Sequence, residues 1–570
     1  MATNQVSEEQ HDDELSETIF KSMESCRVDI DVGFQLSQDI LSVEKGIRMF
    51  LNSEFLESET LFEHRSQNSL YHSLGHSTIL FLKAVVTLQS SDIEAAQSSA
   101  EKTLKLANEL RKKTSFFQNL TSAIGVIPDP KFEEMSEVQR HAELIFAEIY
   151  IIKALINIIS DGTGLIQMVK EGLNIRHSHG IYKHAAKYLT DSKRNQVGVS
   201  DDHFASGVCL GIGLFNLMVS LLPPRMIRLS EIIGISGDQV KAIEFLKRGS
   251  NLNGLRTEFC KMVYLFYHLV LESLIDLPTG NCIEAYEILE DRCRVFPNGV
   301  FYKLIKGRYL LCQRNIEYAQ ELFRETTQIH EKYSHLSHVS HWDLALTHIF
   351  LGNHELALDS IKHLQNVSKW SKCFYAYLEA ILLLELGEQN LEAKFQNVIS
   401  QKRRIAGKSI PLEKFVIRKT RLYLKQRRLL FPTLELMLVF GGFRSCSAKL
   451  LDHYETQLTM ELKRLEDPTL DRKQSNFWND FALVQLLLGV VKGEQTKPDA
   501  LSHFDSLASI SKRIELDHWY TPIGHLEHAR ILFRDGQHKS AKSTLALGIA
   551  CKGYSLENMI SMRLHNCNKR

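Results

Sequence analysis

The chain has 570 residues, 44% of them hydrophobic and 24% charged, an ordinary globular composition that excludes wholesale disorder. Its 68 Lys and Arg balance 68 Asp and Glu, so no global field draws it to nucleic acid or an anionic membrane, and any such attraction needs a local patch. The length suits roughly three or four ordinary domains, or one elongated array that grows by adding similar units.

In chain order, Met1 to Thr18 carries six acidic residues and no Lys or Arg, the reverse of a signal or transit peptide; residues 1–30 are expected to form a disordered acidic tail. Ten cysteines are scattered without a CxxC pair, the usage of reduced core thiols, which predicts a cytoplasmic or nuclear chain. Leu36 to Phe62 reads as two short helices around Asn52-Ser53, with Gly46, Ser58 and Phe62 at spaced positions. Ser77 to Leu110 reads as a second pair, with Ala84, Ala96 and Ala100 as small contacts and a turn at Gln89-Ser90-Ser91. These make up a degenerate helical region over 31–120.

Thr121 to Lys131, with Gly125, Pro128 and Pro130, breaks the helical period and predicts a loop. Ser136 to Ile159 predicts one long helix, apolar most of the way round and therefore buried. Thr190 to Asp202 is polar and predicts a loop, followed by a glycine-containing apolar helix over His203 to Leu222. Its most apolar part, Gly207 to Leu222, is too short to span a bilayer, contains Asn216 and ends at Pro223-Pro224. No transmembrane segment is expected. Gly207-Val-Cys209-Leu-Gly211 has the outline of a nucleophile elbow, but neither flank reads as a strand, so its glycines predict helix packing. Gly211 and Gly213 lack the third glycine of a dinucleotide site. Residues 130–240 form an atypical apolar helical region.

The clearest periodic signal runs from Phe266 to Tyr333. Gly280, Ala285, Leu289 and Pro297 are answered by Gly307, Ala319 and Phe323, a repeat of about 34 residues in which small side chains let paired helices approach. The rhythm continues with Ala345, Gly352 and Ala357, then Ala380, Gly387 and Glu392-Ala393. A last copy has Ala529, Gly536 and Ala541 before a capping helix near Leu556 to His565. Repeats over 241–410 and a C-terminal helical region over 411–570 follow. No alternating run supports a sheet. The predicted fold class is all-α, a tetratricopeptide-like array of helical hairpins that either stays open or closes on itself.

Four blocks carry a family resemblance: SLYHSLGHSTILFLKA (69–84), GVCLGIGLFNLMVSLLPPRMIRLSEIIGISGD (207–238), IAGKSIPLEKFVIRKTRLYL (405–424) and GYSLENMISMRLH (553–565). The chain resembles the tetratricopeptide repeat protein 39 family, to which the fungal inclusion-body clearance proteins are similar. The resemblance implies an all-helical array of atypical repeats without assigned enzyme activity, an adaptor role, and a setting in protein quality control or lipid-related regulation. It assigns no functional residues. Arg314 stands where such a repeat usually has its turn glycine.

The first helix of each hairpin should present a concave face. Its candidate partner-groove residues are Tyr267, Leu304, Arg308, Trp342, Phe374 and Tyr377, beside Val270, Phe301, Leu346, Ile349 and Ile381. Val270, Leu304, Trp342 and Tyr377 occupy the position where carboxylate-gripping repeats carry a polar clamp, so a charged chain terminus is not the expected ligand. Such a face suits an amphipathic helix, or is already covered by the chain's own N-terminal helices. Lys402 to Arg428 holds eleven basic residues against Glu413 alone. Its patch candidates are Arg403, Arg404, Lys414, Arg418, Lys419 and Arg421, a surface for acidic lipid headgroups or an acidic partner, or a solvated helix face with its charges split between loop and helix. Without aromatic interleaving, nucleic acid is not an expected partner.

His335, His338 and His341 recur every third residue, which on a helix would splay the outer pair by about 120°. They are read as part of an inter-repeat turn, with no metal expected, and His177 and His179 as weaker still. No cofactor motif or catalytic triad motif stands out. The expected function is a non-enzymatic scaffold or adaptor for protein partners. The rival is a lipid-binding or membrane-surface protein whose helices over 145–222 enclose an acyl chain while Lys402 to Arg428 holds the headgroup.

Overall fold

The computed structural model describes residues 35–570 apart from 112–129, 161–164, 195–200, 223–226, 228–230, 232–233, 235, 279, 329–332, 369, 403, 406–407, 410, 471 and 473–475. The acidic tail expected over 1–30 and most of the loop expected over 121–131 lie outside the described residues.

The elements follow in order: α1 (35–51), α2 (Phe55–Arg65), α3 (Leu70–Thr87), α4 (Ser90–Leu110), α5 (Glu137–Ser160), α6 (Leu165–Arg194), α7 (Asp202–Ser220), α8 (Gln239–Ser250) and α9 (Thr257–Phe266). A π-helical turn, Tyr267–Leu271, extends α9. Next come α10 (Cys282–Val295), α11 (Val300–Cys312), α12 (Ile316–Glu325), α13 (Ser334–Phe350), α14 (His354–Val367), α15 (Lys372–Glu385) and α16 (Glu392–Ser400). After strands β1 (Arg404–Ile405) and β2 (Lys408–Ser409) stand α17 (Pro411–Gln426), α18 (Pro432–Phe440), α19 (Ala448–Glu466), α20 (Phe477–Glu494), α21 (Ala500–Ser509), α22 (Tyr520–Arg534), α23 (His538–Ala550) and α24 (Glu557–Cys567).

The hairpins are held by one recurring contact. On the first helix a glycine lies under a phenylalanine of the second, so that an added methyl would sit 2.7 Å from Phe62 at Gly46, 2.5 Å from Phe323 at Gly307 and 2.7 Å from Phe504 at Gly489. Between each pair sits a small, fully buried residue, Ser58, Ala319 or Ala500. The spacing is the same in the first two hairpins, and in the first the Ser58 hydroxyl donates to the Gly46 carbonyl at 2.9 Å. Close backbone approach leaves room for a large ring to cover the crossing, and the ring supplies the buried apolar area.

Two large cores result, one built from side chains between Leu36 and Tyr333 and one between Ala345 and Cys567. A small separate cluster of Leu310, Ala319, Leu322 and Phe323 falls within the sequence span of the first core. In the first core α7 is a central helix. Methyl groups on Gly207 and Gly213 would come within 2.6 Å of Leu144 and Leu246, and Gly211 lies against the Tyr182 ring, so these glycines are packing contacts. By length and composition α7 could cross a membrane, but 72% of its apolar window is buried inside the helical body, the pattern of a core helix.

Several expectations need correction. Helix α6 runs to Arg194, taking residues 190–194 out of the expected loop; within it the Thr190 hydroxyl donates back to the Ala186 carbonyl at 3.0 Å, so this polar side chain is accommodated in the helix. The histidines 335, 338 and 341 lie in α13, not in a turn. A two-residue antiparallel ladder pairs Arg404 with Ser409 and Ile405 with Lys408, too short to show any alternation in sequence.

Candidate functional site

Most candidate groove residues are core. Phe374 and Tyr377 on α15 are fully buried, and Tyr267 in the π turn is buried with its hydroxyl accepting from Gln239 Nε2. Arg308 is spent on a two-pronged ion pair, with Nε 2.8 Å and Nη2 3.1 Å from the buried Asp343 carboxylate. Leu304 is half-buried. The N-terminal helices cover part of this face: Phe50 stacks on Phe301 at 5.5 Å, and Tyr333 donates to Glu59 Oε2 at 2.6 Å.

Trp342 borders a partly exposed aromatic surface of the expected kind. It is half-buried on α13 and stands 6.5 Å from Trp370, which precedes α15 and is 40% exposed. Phe440, at the end of α18, meets Trp342 edge-on at 5.6 Å, and Tyr375 lies 5.9 Å from Trp370. Phe374 and Tyr375, both buried, form the floor. Two tryptophans over a rigid aromatic floor offer large contact area at little entropic cost. Trp370 was not among the sequence candidates; the signal was there, since a tryptophan just before a repeat's first helix has no packing role that the hairpin pattern requires.

The basic segment divides in two. Lys419 is buried between Asp517, at 2.8 Å, and Glu435, and donates to Tyr520 at 2.9 Å. Burial pushes the Glu435 carboxyl up, whereas Asp517, although buried too, is kept low by Lys419 and Arg418. Arg418 pairs with Asp517, Arg427 with Glu392, and Arg428 with Glu461 and Asp480. These cations tie α17 to its neighbours. Lys414 and Arg421 remain exposed, as does Lys425. Arg403 lies outside the described residues, and Arg404 stands in β1.

A second buried network closes the array. Asp276 accepts from Arg563 Nε at 2.7 Å and Arg444 Nη2 at 2.9 Å, with Arg530 Nε at 3.4 Å. Burial alone would raise Asp276, but the three guanidiniums outweigh it and hold the carboxyl well below the usual range. Asn566 and Arg570 donate to the carbonyls of Ile275 and Leu277, so the C-terminal helix is fastened to the end of the extended α9. Beside this seam lies a cleft of about 560 Å³ with Arg530, Arg534, His538, Phe504 and Ile531 in its walls.

Among the described residues, Glu137, His141 and Asp201 form a group of metal-ligating type, their ligand atoms within 4.8 Å of one another. Both nitrogens of the buried His141 are engaged, Nδ1 with the Tyr71 hydroxyl at 2.5 Å and Nε2 with Asp201 at 2.6 Å. The arrangement works without an ion, as a hydrogen-bonded chain joining α3, α5 and the start of α7. The His341 ring lies against that of His363, tilted by 39° with centroids 4.1 Å apart.

Residues 44–494 match the family model Iml2/Tetratricopeptide repeat protein 39. Tetratricopeptide repeat protein ttc-39B of Caenorhabditis elegans is 27% identical over 550 residues, covering 93% of this chain and 92% of that protein. Two solved structures are similar at 11% identity: the P58(IPK) TPR domain, covering 58% of this chain and 92% of that one with a TM-score of 0.14, and the APC/C hetero-tetramer Cut9-Hcn1, covering 92% and 95% with a TM-score of 0.22. The all-α architecture is set by the chain's own helices. With most of its length matched, this chain belongs to the Iml2/Tetratricopeptide repeat protein 39 family.

Proposed function

We propose that the protein is a non-enzymatic helical-repeat scaffold that binds protein partners through the Trp342–Trp370 platform, in the cytoplasm or nucleus. The supporting observation is the position of Trp370, 40% exposed and backed by buried aromatics, whereas the groove candidates other than Trp342 are engaged in packing or an ion pair. An apolar or aromatic segment of a partner fits such a floor, and holding two clients near each other raises their effective concentration. The setting implied by the family resemblance, protein quality control or lipid-related regulation, belongs to this proposal. Cys373 and Cys446 have the character of core thiols, since burial pushes each up to about 12, leaving them protonated at neutral pH. The lipid-binding reading loses ground at α7, where Leu144, Tyr182 and Leu246 fill the space beside the glycines.

A photo-crosslinking amino acid at position 370, compared with the buried position 377, tests the proposal in cells. Position 370 should capture discrete protein adducts and position 377 none; adducts at neither position contradict it.

A further inference from the structure

The chain's neutrality conceals a partition. Residues 1–34 hold nine acidic residues, among them Glu8, Glu9, Asp12, Asp13, Glu14 and Glu17, against Lys21 and Arg27, so the remainder carries 66 Lys and Arg against 59 Asp and Glu. The N-terminal segment is thus seven charges negative and the body seven positive.

On the body, α17 offers a matching face. Lys414, Arg421 and Lys425 are exposed, and no ion pair engages them among the described residues, while Arg418, Lys419, Arg427 and Arg428 are all paired with acids of the body. Positions 414, 421 and 425 fall within about 40° of one another around the helix and about 16 Å along it. The helix's own acid, Glu413, is fully buried and accepts from Ser371 at 2.7 Å, so it does not offset the exposed cations.

We infer that the acidic segment Glu8–Glu17 of this chain docks in cis on the Lys414–Arg421–Lys425 face of α17. Ten residues span about 15 Å if helical and about 33 Å if extended, so either form covers the stripe. The 17 residues between Glu17 and residue 35 reach about 60 Å when extended. Docked, the segment neutralises a face that an acidic protein or lipid headgroup would otherwise meet, so occupancy in cis sets the threshold for such contacts in trans. The face is separate from the tryptophan platform, and this inference stands or falls independently of it.

Zero-length carbodiimide crosslinking of the full chain, with a mixture of isotopically light and heavy copies, tests the inference. At 50 mM NaCl, crosslinks should join residues 8–17 to Lys414 or Lys425 within one copy. They should fall at least threefold at 300 mM NaCl, and likewise in Arg421→Glu, which leaves both lysines in place as acceptors. Unchanged melting confirms that this exposed substitution folds, and Arg421→Gln serves if it does not. Crosslinks absent from α17, insensitive to both changes, or formed between light and heavy copies would overturn the inference.

Discussion

Arg563 Nε meets Asp276 Oδ2 at 2.7 Å across 287 positions of sequence. This contact joins the last helix of the chain to the end of α9, and Asp276 holds it from a left-handed backbone with φ of 57°. The carboxylate is almost fully buried and compensates Arg444 and Arg530 as well. A buried charge cluster of this kind contributes little net stability relative to apolar packing, yet losing one member is costly because the others stay buried without compensation.

Asp276→Ala should therefore destabilise the protein by about 3–5 kcal/mol, read as a lowered urea midpoint. Asp276→Asn keeps a side chain that tolerates the left-handed backbone but removes the charge, and should recover only part of the loss. An alanine variant within 1 kcal/mol of wild type would show that the seam is not closed as described.

Lys419 makes the same kind of prediction inside the C-terminal core. Lys419→Met leaves Asp517 and Glu435 facing each other in the interior and should cost about 3–5 kcal/mol at neutral pH. The deficit should shrink towards pH 5, where protonation relieves the two carboxylates. Urea midpoints measured at pH 7.5 and 5.0 give the comparison.

Burial lowers the imidazoles of His179 to about 3 and of His335 and His341 to about 4. Between pH 6.5 and 4 the unfolded chain binds more protons at these sites than the fold does, so stability rises with pH across that window and is lost as pH falls. Each such proton steepens the slope by about 1.4 kcal/mol per pH unit. Asp276 and Asp201 extend the loss below pH 4: although burial opposes it, ion pairing holds the first carboxyl low, and the His141 hydrogen bond brings the second to about 2. Melting temperatures should fall as the pH drops from 6.5 to 4.5, and His335→Gln should flatten that part of the profile.

Gly211 tests the packing of α7. An alanine there would drive its methyl into the Tyr182 ring, and overpacking of this kind costs about 1–3 kcal/mol. Gly387→Ala offers a comparison: its methyl would meet open space, but φ of 81° adds backbone strain. Paired Gly211→Ala and Tyr182→Leu substitutions should recover part of the Gly211→Ala loss if the clash is the cause.

The hairpins were legible because their contacts are local: Gly46, Ser58 and Phe62 repeat the offsets of Gly307, Ala319 and Phe323. The concave face was not, because its exposure depends on what lies across it. Tyr377 and Trp342 look equivalent by repeat position, yet one is sealed in the core and the other borders Trp370. Nor does the density of cations between Lys402 and Arg428 reveal that Lys419 has buried partners about 100 residues further on, at Asp517 and Tyr520. Asp276 carried no signal at all, since its three arginines come from distant segments that meet only when the array closes.

On the proposed function, partners engage the tryptophan platform. Quantitative crosslinking mass spectrometry in cells, comparing wild type with Trp370→Glu, tests it most directly. Because Trp370 is partly exposed, the variant should melt within a few degrees of wild type while losing most partner crosslinks that map to α13, α14 and α15. The same partner crosslinks at wild-type abundance, in a variant that folds normally, would contradict it.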